Sequence, residues 1–147
     1  MDLDNAAMHA RNMMELYQLD GWSFAFDNAK RRCGACYWGR RTITLSRHFV
    51  RLNNAAEVHD VILHEIAHAL AGKAAGHGAY WQLWAVELGA RPERCAENVE
   101  MPEGGVEGVC AENCAGRHVR HRMPPARLLN AYACRRCGED ITWVRVR

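Results

Sequence analysis

The sequence predicts an α+β fold in two parts. Three observations carry that reading. Apolar residues recur at helical steps in three places, near residues 4–19, 55–71 and 79–88. Between the first two, short segments alternate with the period of a strand. After a stretch rich in proline, glycine and acids, the final segment holds Cys110, Cys114, Cys134 and Cys137.

The elements follow in order. Leu3, Ala6, Ala7, Ala10, Met13, Met14 and Tyr17 share one helical face, and Asp20-Gly21 ends that helix. Trp22 to Phe26 alternates and is rich in aromatic residues. Thr42 to Ser46 alternates again, with Ile43 and Leu45 on one face. Cys33 to Gly39, between them, reads as a turn and a further strand, so a small antiparallel sheet is expected. Asn54 to Glu57 has the spacing of a capping box, with Asn54 as N-cap and Glu57 reaching back. The helix then runs through Val58, Val61, Ile62, Ile66 and Ala69 to Gly72. A loop carrying His77 leads to a helix over Ala79–Leu88, expected to bury Tyr80, Leu83, Trp84 and Leu88. Pro92, Pro102, Gly104, Gly105 and Gly108 among acids mark a linker. The predicted organisation is a domain over residues 1–92, an acidic linker over 93–108 and a small module over 109–147.

Composition bounds the function. Of 147 residues, 49% are apolar and 24% charged, which excludes wholesale disorder. No apolar run is long enough to cross a membrane, and no membrane partner is expected. The first residues lack the apolar core of a secretory signal, so a reducing, cytoplasmic location is expected. There, seven cysteines read as metal ligands or buried thiols rather than disulfides. The net charge of +2 is unevenly spread. Lys30, Arg31, Arg32, Arg40, Arg41, Arg47 and Arg51 form a basic block without acids. Arginines dominate again after Val109, and the acidic segment lies between. Two basic blocks suit an anionic partner.

The central chemical signal is His64-Glu65-Ile66-Ala67-His68. On a helix, His64 and His68 share a face, and both imidazoles can reach one Zn²⁺. Glu65 lies beside that face, placed to accept a proton from a water activated by the metal. Leu63, Ile66, Ala67 and Leu70 flank the pair and would bury it. A catalytic zinc needs a third protein ligand and an open position. His77, between two glycines that let the backbone fold back, is the first candidate; Glu87 on the following helix is the rival. His59 lies off the metal face and reads as structural, and His9 and His48 carry no signal.

Cys134-Arg135-Arg136-Cys137-Gly138 has the form of a zinc knuckle, and Cys110 with Cys114 is its partner pair. Four thiolates make a closed structural site. The first pair has three intervening residues, so His118 or His121 stands as an alternative to Cys110 or Cys114. Cys33, Cys36 and Cys95 read as buried or turn thiols, with a redox role for the Cys33/Cys36 pair as the other reading.

Four runs carry a family resemblance: Ile43-Thr44-Leu45-Ser46-Arg47, His64 to Leu70, Gly76-His77-Gly78-Ala79-Tyr80-Trp81, and Leu88-Gly89-Ala90-Arg91-Pro92-Glu93-Arg94-Cys95. They resemble the SprT-like metalloproteases, which include Spartan, and the cysteine module is similar to the zinc ribbon that closes many bacterial members. The resemblance runs from about Trp22 onward. It implies a minimal zincin-like domain over 1–92 and a zinc ribbon over 109–147. It also implies His64, His68 and His77 as ligands of one catalytic zinc, Glu65 as acid/base, and a second, structural zinc on the cysteines. The best-studied members of the family digest proteins crosslinked to DNA, and DNA switches them on.

The expectation is therefore a zinc endopeptidase, DNA-dependent, acting on DNA-bound or DNA-crosslinked proteins. It would be a monomer, nucleoid-associated if bacterial, with single-stranded or junction-containing DNA as partner. Arg40 and Arg41 beside Tyr37 and Trp38, and Arg117, Arg120, Arg122, Arg135 and Arg136 beside Tyr132 and Trp143, are the candidate DNA contacts. Substrate would lie in extended form along an edge strand, for which Thr42–Ser46 is the candidate. The alternatives are a non-proteolytic zinc protein that binds nucleic acid, and a protease whose ribbon recruits a protein partner.

Overall fold

The computed structural model describes residues 1–94, 99–112 and 114–146. The chain forms two compact units, Met1–Pro102 and Glu103–Arg147.

The first unit begins with α1 (Leu3–Leu16), capped by the Asp2 carboxylate on the Asn5 N–H. Ala6, Ala7, Ala10 and Met14 form its buried face, the spacing expected of a core-facing helix. Three strands follow: β1 (Ser23–Asp27), β2 (Gly34–Tyr37) and β3 (Thr42–Ser46). Their order is β1-β3-β2. β2 pairs with β3 antiparallel, but β1 pairs with β3 parallel, so the sheet is mixed rather than antiparallel throughout.

This order also moves the expected edge. Thr42–Ser46 is the central strand, and β2 is an edge. The alternation in β3 gave the strand but not its neighbours. Ile43 and Leu45 enter the main core, while Thr44 and Ser46 are also buried because each has a polar partner. The Thr44 hydroxyl donates to Asp27 Oδ2 at 2.8 Å. The Ser46 hydroxyl donates to the Ala29 carbonyl and caps the next helix, α2 (Arg47–Leu52), by accepting from the Phe49 N–H. A polar residue that finds its hydrogen bond can be buried, and sequence alternation does not report that.

The central helix α3 (Ala55–Ala71) starts where its cap predicts, with the Asn54 side chain accepting from the Glu57 N–H at 3.0 Å. Such a cap contributes about 1 kcal/mol. The reciprocal half of the box is absent. The Glu57 carboxylate instead pairs with Arg91, which also holds Asp60 through two 2.9 Å hydrogen bonds. The pairing ties the segment after α4 (Ala79–Leu88) to the first turns of α3. Gly72, at φ +82°, ends α3 in a conformation that favours glycine. His9 and His59 bond to each other at 2.7 Å and link α1 to α3.

α4 presents a face that matches the expected one only at Leu88 and, half-buried, at Trp84. Trp81, Ala85 and Leu88 are buried, whereas Tyr80 and Leu83 are exposed, Leu83 at 68%. A helix in which nearly every residue is apolar has no unique stripe, so packing chooses the face.

The second unit is a three-stranded antiparallel sheet in the order β5-β4-β6, with β4 (Val106–Cys110), β5 (His118–Arg120) and β6 (Ile141–Arg145). Among the described residues its buried cluster is Cys110, Cys134 and Ile141, with Cys114, Tyr132 and Trp143 packed around it. The expected linker over 93–108 is shared between the units. Val99 and Met101 pack against the core of the first, and Val106 opens β4 of the second. Cys95 lies outside the described residues. Among those residues, no helix is long and apolar enough to cross a membrane.

Candidate metal centre

α3 carries His64 and His68 one turn apart, and the loop that follows Gly72 returns His77 to them. The Nε2 atoms of His64 and His77 are 3.2 Å apart, and those of His68 and His77 are 3.0 Å apart. A tetrahedral zinc with Zn–N bonds of about 2.0–2.1 Å separates its nitrogen ligands by about 3.3 Å. Three imidazole nitrogens that converge at this spacing fit a zinc and leave its fourth position to water or substrate. Burial and the neighbouring histidines push His64 down to about 4 and His68 to about 3. Burial, then the charge of Arg94, lowers His77. All three are thus neutral near pH 7, with lone pairs available to a metal. Glu87, the rival ligand, is exposed and is not part of this cluster.

Glu65 is buried, at 6% exposure, and burial pushes its carboxyl up to about 8. Arg32 and Asp27, themselves paired at 2.6 Å, act on it in opposite senses. Its Oε1 sits against β2 so closely that a Cβ added at Gly34 would lie 2.9 Å from it and 2.9 Å from the Thr44 carbonyl oxygen. Glycine at position 34 therefore leaves the space that the carboxylate occupies. Trp38, just past β2, donates its indole N–H to the His68 carbonyl at 3.1 Å. β2 thus runs beside the Glu65–His68 turn of α3.

Trp81 lies under the site, fully buried. Its ring centroid is 4.7, 5.1 and 4.6 Å from those of His64, His68 and His77, and it stacks on His68. The sequence placed Trp81 beside His77 but expected its neighbours on the buried face. Cys36, on β2, is half-buried, and its thiol is pushed up to about 12 by burial and by Glu65. Burial thus favours the protonated thiol of Cys36.

In the second unit Cys110, Cys114, Cys134 and Cys137 converge, each sulfur within 4.8 Å of the others. Sγ pairs stand 3.3 Å apart for Cys110–Cys137 and Cys114–Cys134, and 3.6 Å apart for Cys114–Cys137. These distances are too long for disulfides, which need about 2.05 Å. They lie near the roughly 3.8 Å edge of a zinc–thiolate tetrahedron. Backbone N–H groups of Arg136 and Cys137 pull the Cys134 thiol down, while hydrogen bonds among the clustered thiols push Cys137 and Cys114 up. His118 stands outside the ligand set, with its Nε2 3.3 Å from Cys134 Sγ.

The candidate DNA arginines are dispersed in role. Arg117 pairs with Glu103 at 3.1 Å and Glu107 at 3.9 Å. Arg120 lies over Tyr132 and Trp143, which are half-buried and meet edge to face. Arg40 lies 4.2 Å above the Tyr37 ring. Arg41, Arg122, Arg135 and Arg136 are exposed.

Comparison with known proteins finds no matching curated protein and no matching solved structure. A family model, the SprT-like family, matches residues 5–101, which span the sheet, α3, the three histidines and α4. The chain belongs to the SprT-like family, whose domain is of the zinc metalloprotease type.

Proposed function

We propose that this protein is a zinc endopeptidase, activated by DNA, that cleaves proteins bound or crosslinked to DNA. The observation that carries the peptidase part is the convergence of three imidazoles, two of them on the helix turn that also carries the buried Glu65. A zinc held by His64, His68 and His77 would supply Lewis acidity to a water and to a peptide carbonyl. Glu65 takes the proton from the attacking water and passes it to the leaving amine, so one carboxylate serves both halves of the reaction. Burial raises the affinity of the ionised carboxylate for that proton. Substrate backbone lies along β2, the edge strand nearest Glu65. The DNA part rests on the family resemblance and on the exposed arginines of both units.

The test is cleavage of a DNA-binding protein by the zinc-loaded chain, with and without single-stranded DNA. The expected result is cleavage that requires DNA and weakens as salt rises. Cleavage indifferent to DNA would assign the ribbon to a protein partner instead. Salt-sensitive DNA binding without any cleavage would favour the non-proteolytic alternative.

Gly34→Ala gives a second check. The added methyl collides with the Glu65 carboxylate and with a backbone oxygen that cannot yield freely. Overpacking of this kind costs about 1–3 kcal/mol of stability. The expected outcome is a hydrolysis rate reduced more than tenfold with the zinc content of the histidine site unchanged. Full activity would mean that the carboxylate works from another position.

A further inference from the structure

We propose that the cavity at the end of β2 is a subsite that selects an acidic side chain, glutamate above all, in a peptide lying along that strand. The proposal rests on the peptidase reading and adds a substrate preference to it. The cavity is open, about 310 Å³, and is lined by Cys36, Tyr37, Trp38, Gly39, Arg40 and Lys73.

Three observations place it in the substrate's path. β2 carries no strand on its outer side among the described residues, so its backbone groups are open to an added strand. Gly34, at one end of β2, touches Glu65, and Trp38, just past the other end, bonds the His68 carbonyl. A peptide on this edge therefore passes the metal centre and the cavity within a few residues. Lys73 belongs to the short turn that follows α3 and leads to His77, so the ligand loop also forms a wall of the cavity.

The lining sets the preference. Tyr37 and Trp38 offer flat apolar surface to the methylenes of a side chain. Arg40 and Lys73 offer two positive charges, and no carboxylate lines the cavity among the described residues. The Arg40 guanidinium is held over the Tyr37 ring at 4.2 Å, which limits its freedom before substrate arrives. A glutamate satisfies both features, with its stem on the rings and its carboxylate between the cations. A lysine or arginine side chain meets like charge. Exposed ion pairs are weak, so each cation contributes a factor of a few and the two together about tenfold.

The test uses fluorescein-labelled peptides that differ only by Glu, Gln or Lys at one position. Their binding to the zinc-loaded Glu65→Gln chain is read by anisotropy, where no hydrolysis is needed. The glutamate peptide should bind about tenfold tighter than the lysine peptide. Arg40→Glu/Lys73→Glu should invert the order, and Arg40→Gln/Lys73→Gln should erase it; both sites are exposed, and circular dichroism checks the fold. An order unchanged by charge reversal would overturn the proposal. So would the absence of peptide binding, or a dT oligonucleotide that binds through Arg40 and Lys73 while the peptides do not. If binding inverts as expected but the unsubstituted chain hydrolyses none of the peptides even with single-stranded DNA present, the peptidase reading fails and the subsite stands.

Discussion

Glu65→Gln is expected to keep zinc and lose hydrolysis, with kcat reduced about 10²–10⁴-fold, the usual contribution of a positioned acid/base. The substitution keeps the size and the polar end of the side chain, so the wall made by Gly34 and the Thr44 carbonyl still fits it. It leaves the three imidazoles untouched. What it removes is the ability to take up and return a proton. On the proposed binding mode KM should change little, because the substrate backbone would contact β2 rather than this carboxylate. The variant should also fold at least as stably. Burial disfavours the ionised Glu65 carboxylate, and an amide has no ionised form to penalise. Metal analysis, peptide hydrolysis and a thermal melt measure the three parts. Zinc-replete protein that retains activity within a few-fold of the parent would remove Glu65 from the proton-transfer role.

Cys134→Ser is expected to unfold the second unit and leave the first intact. Among the described residues the buried cluster of that unit is three residues, two of them cysteines. So small a core does not offset the entropy of ordering some 45 residues. Structural zinc sites supply about 10–16 kcal/mol in comparable peptides, and that free energy is folding free energy. Cys134 is central to this: its sulfur contacts Cys114, and its backbone closes the knuckle through Glu139 and Gly138. Tryptic cleavage at Arg122 and Arg127 should become rapid, the bound zinc should fall by one ion, and the first unit should keep its thermal transition on its own core. A strong chelator applied to the unsubstituted chain should reproduce the proteolysis. A Cys134→Ser chain that still resists trypsin in this unit would mean the strands hold without the metal.

The metal centre was legible in part because its signals are local. His64 and His68 are four residues apart on a helix whose cap, Asn54, and terminator, Gly72, are written beside them. Helix geometry alone puts such a pair on one face. The knuckle at Cys134–Cys137 is equally local. His77 needed the loop after Gly72 to return, and Glu87 was excluded only when α4 turned it outward. Glu57 shows the limit of a local rule. The capping spacing was present, but Arg91, 34 residues away, took the carboxylate.

What the sequence determined by itself is the chemistry available: which side chains can hold a metal, which carboxylate stands beside them, and that the last segment carries four cysteines able to share one. These follow from residue type and from spacings within a helical turn. The tertiary structure decided where that chemistry faces. It put β3 inside the sheet and β2 on the edge beside Glu65, set Gly34 against the carboxylate, and slid Trp81 beneath the three histidines. Those outcomes depend on how separate elements pack, from β1 on β3, 19 residues apart, to Gly34 on Glu65, 31 apart. Strand alternation and helical periodicity record which face is buried, but not against what.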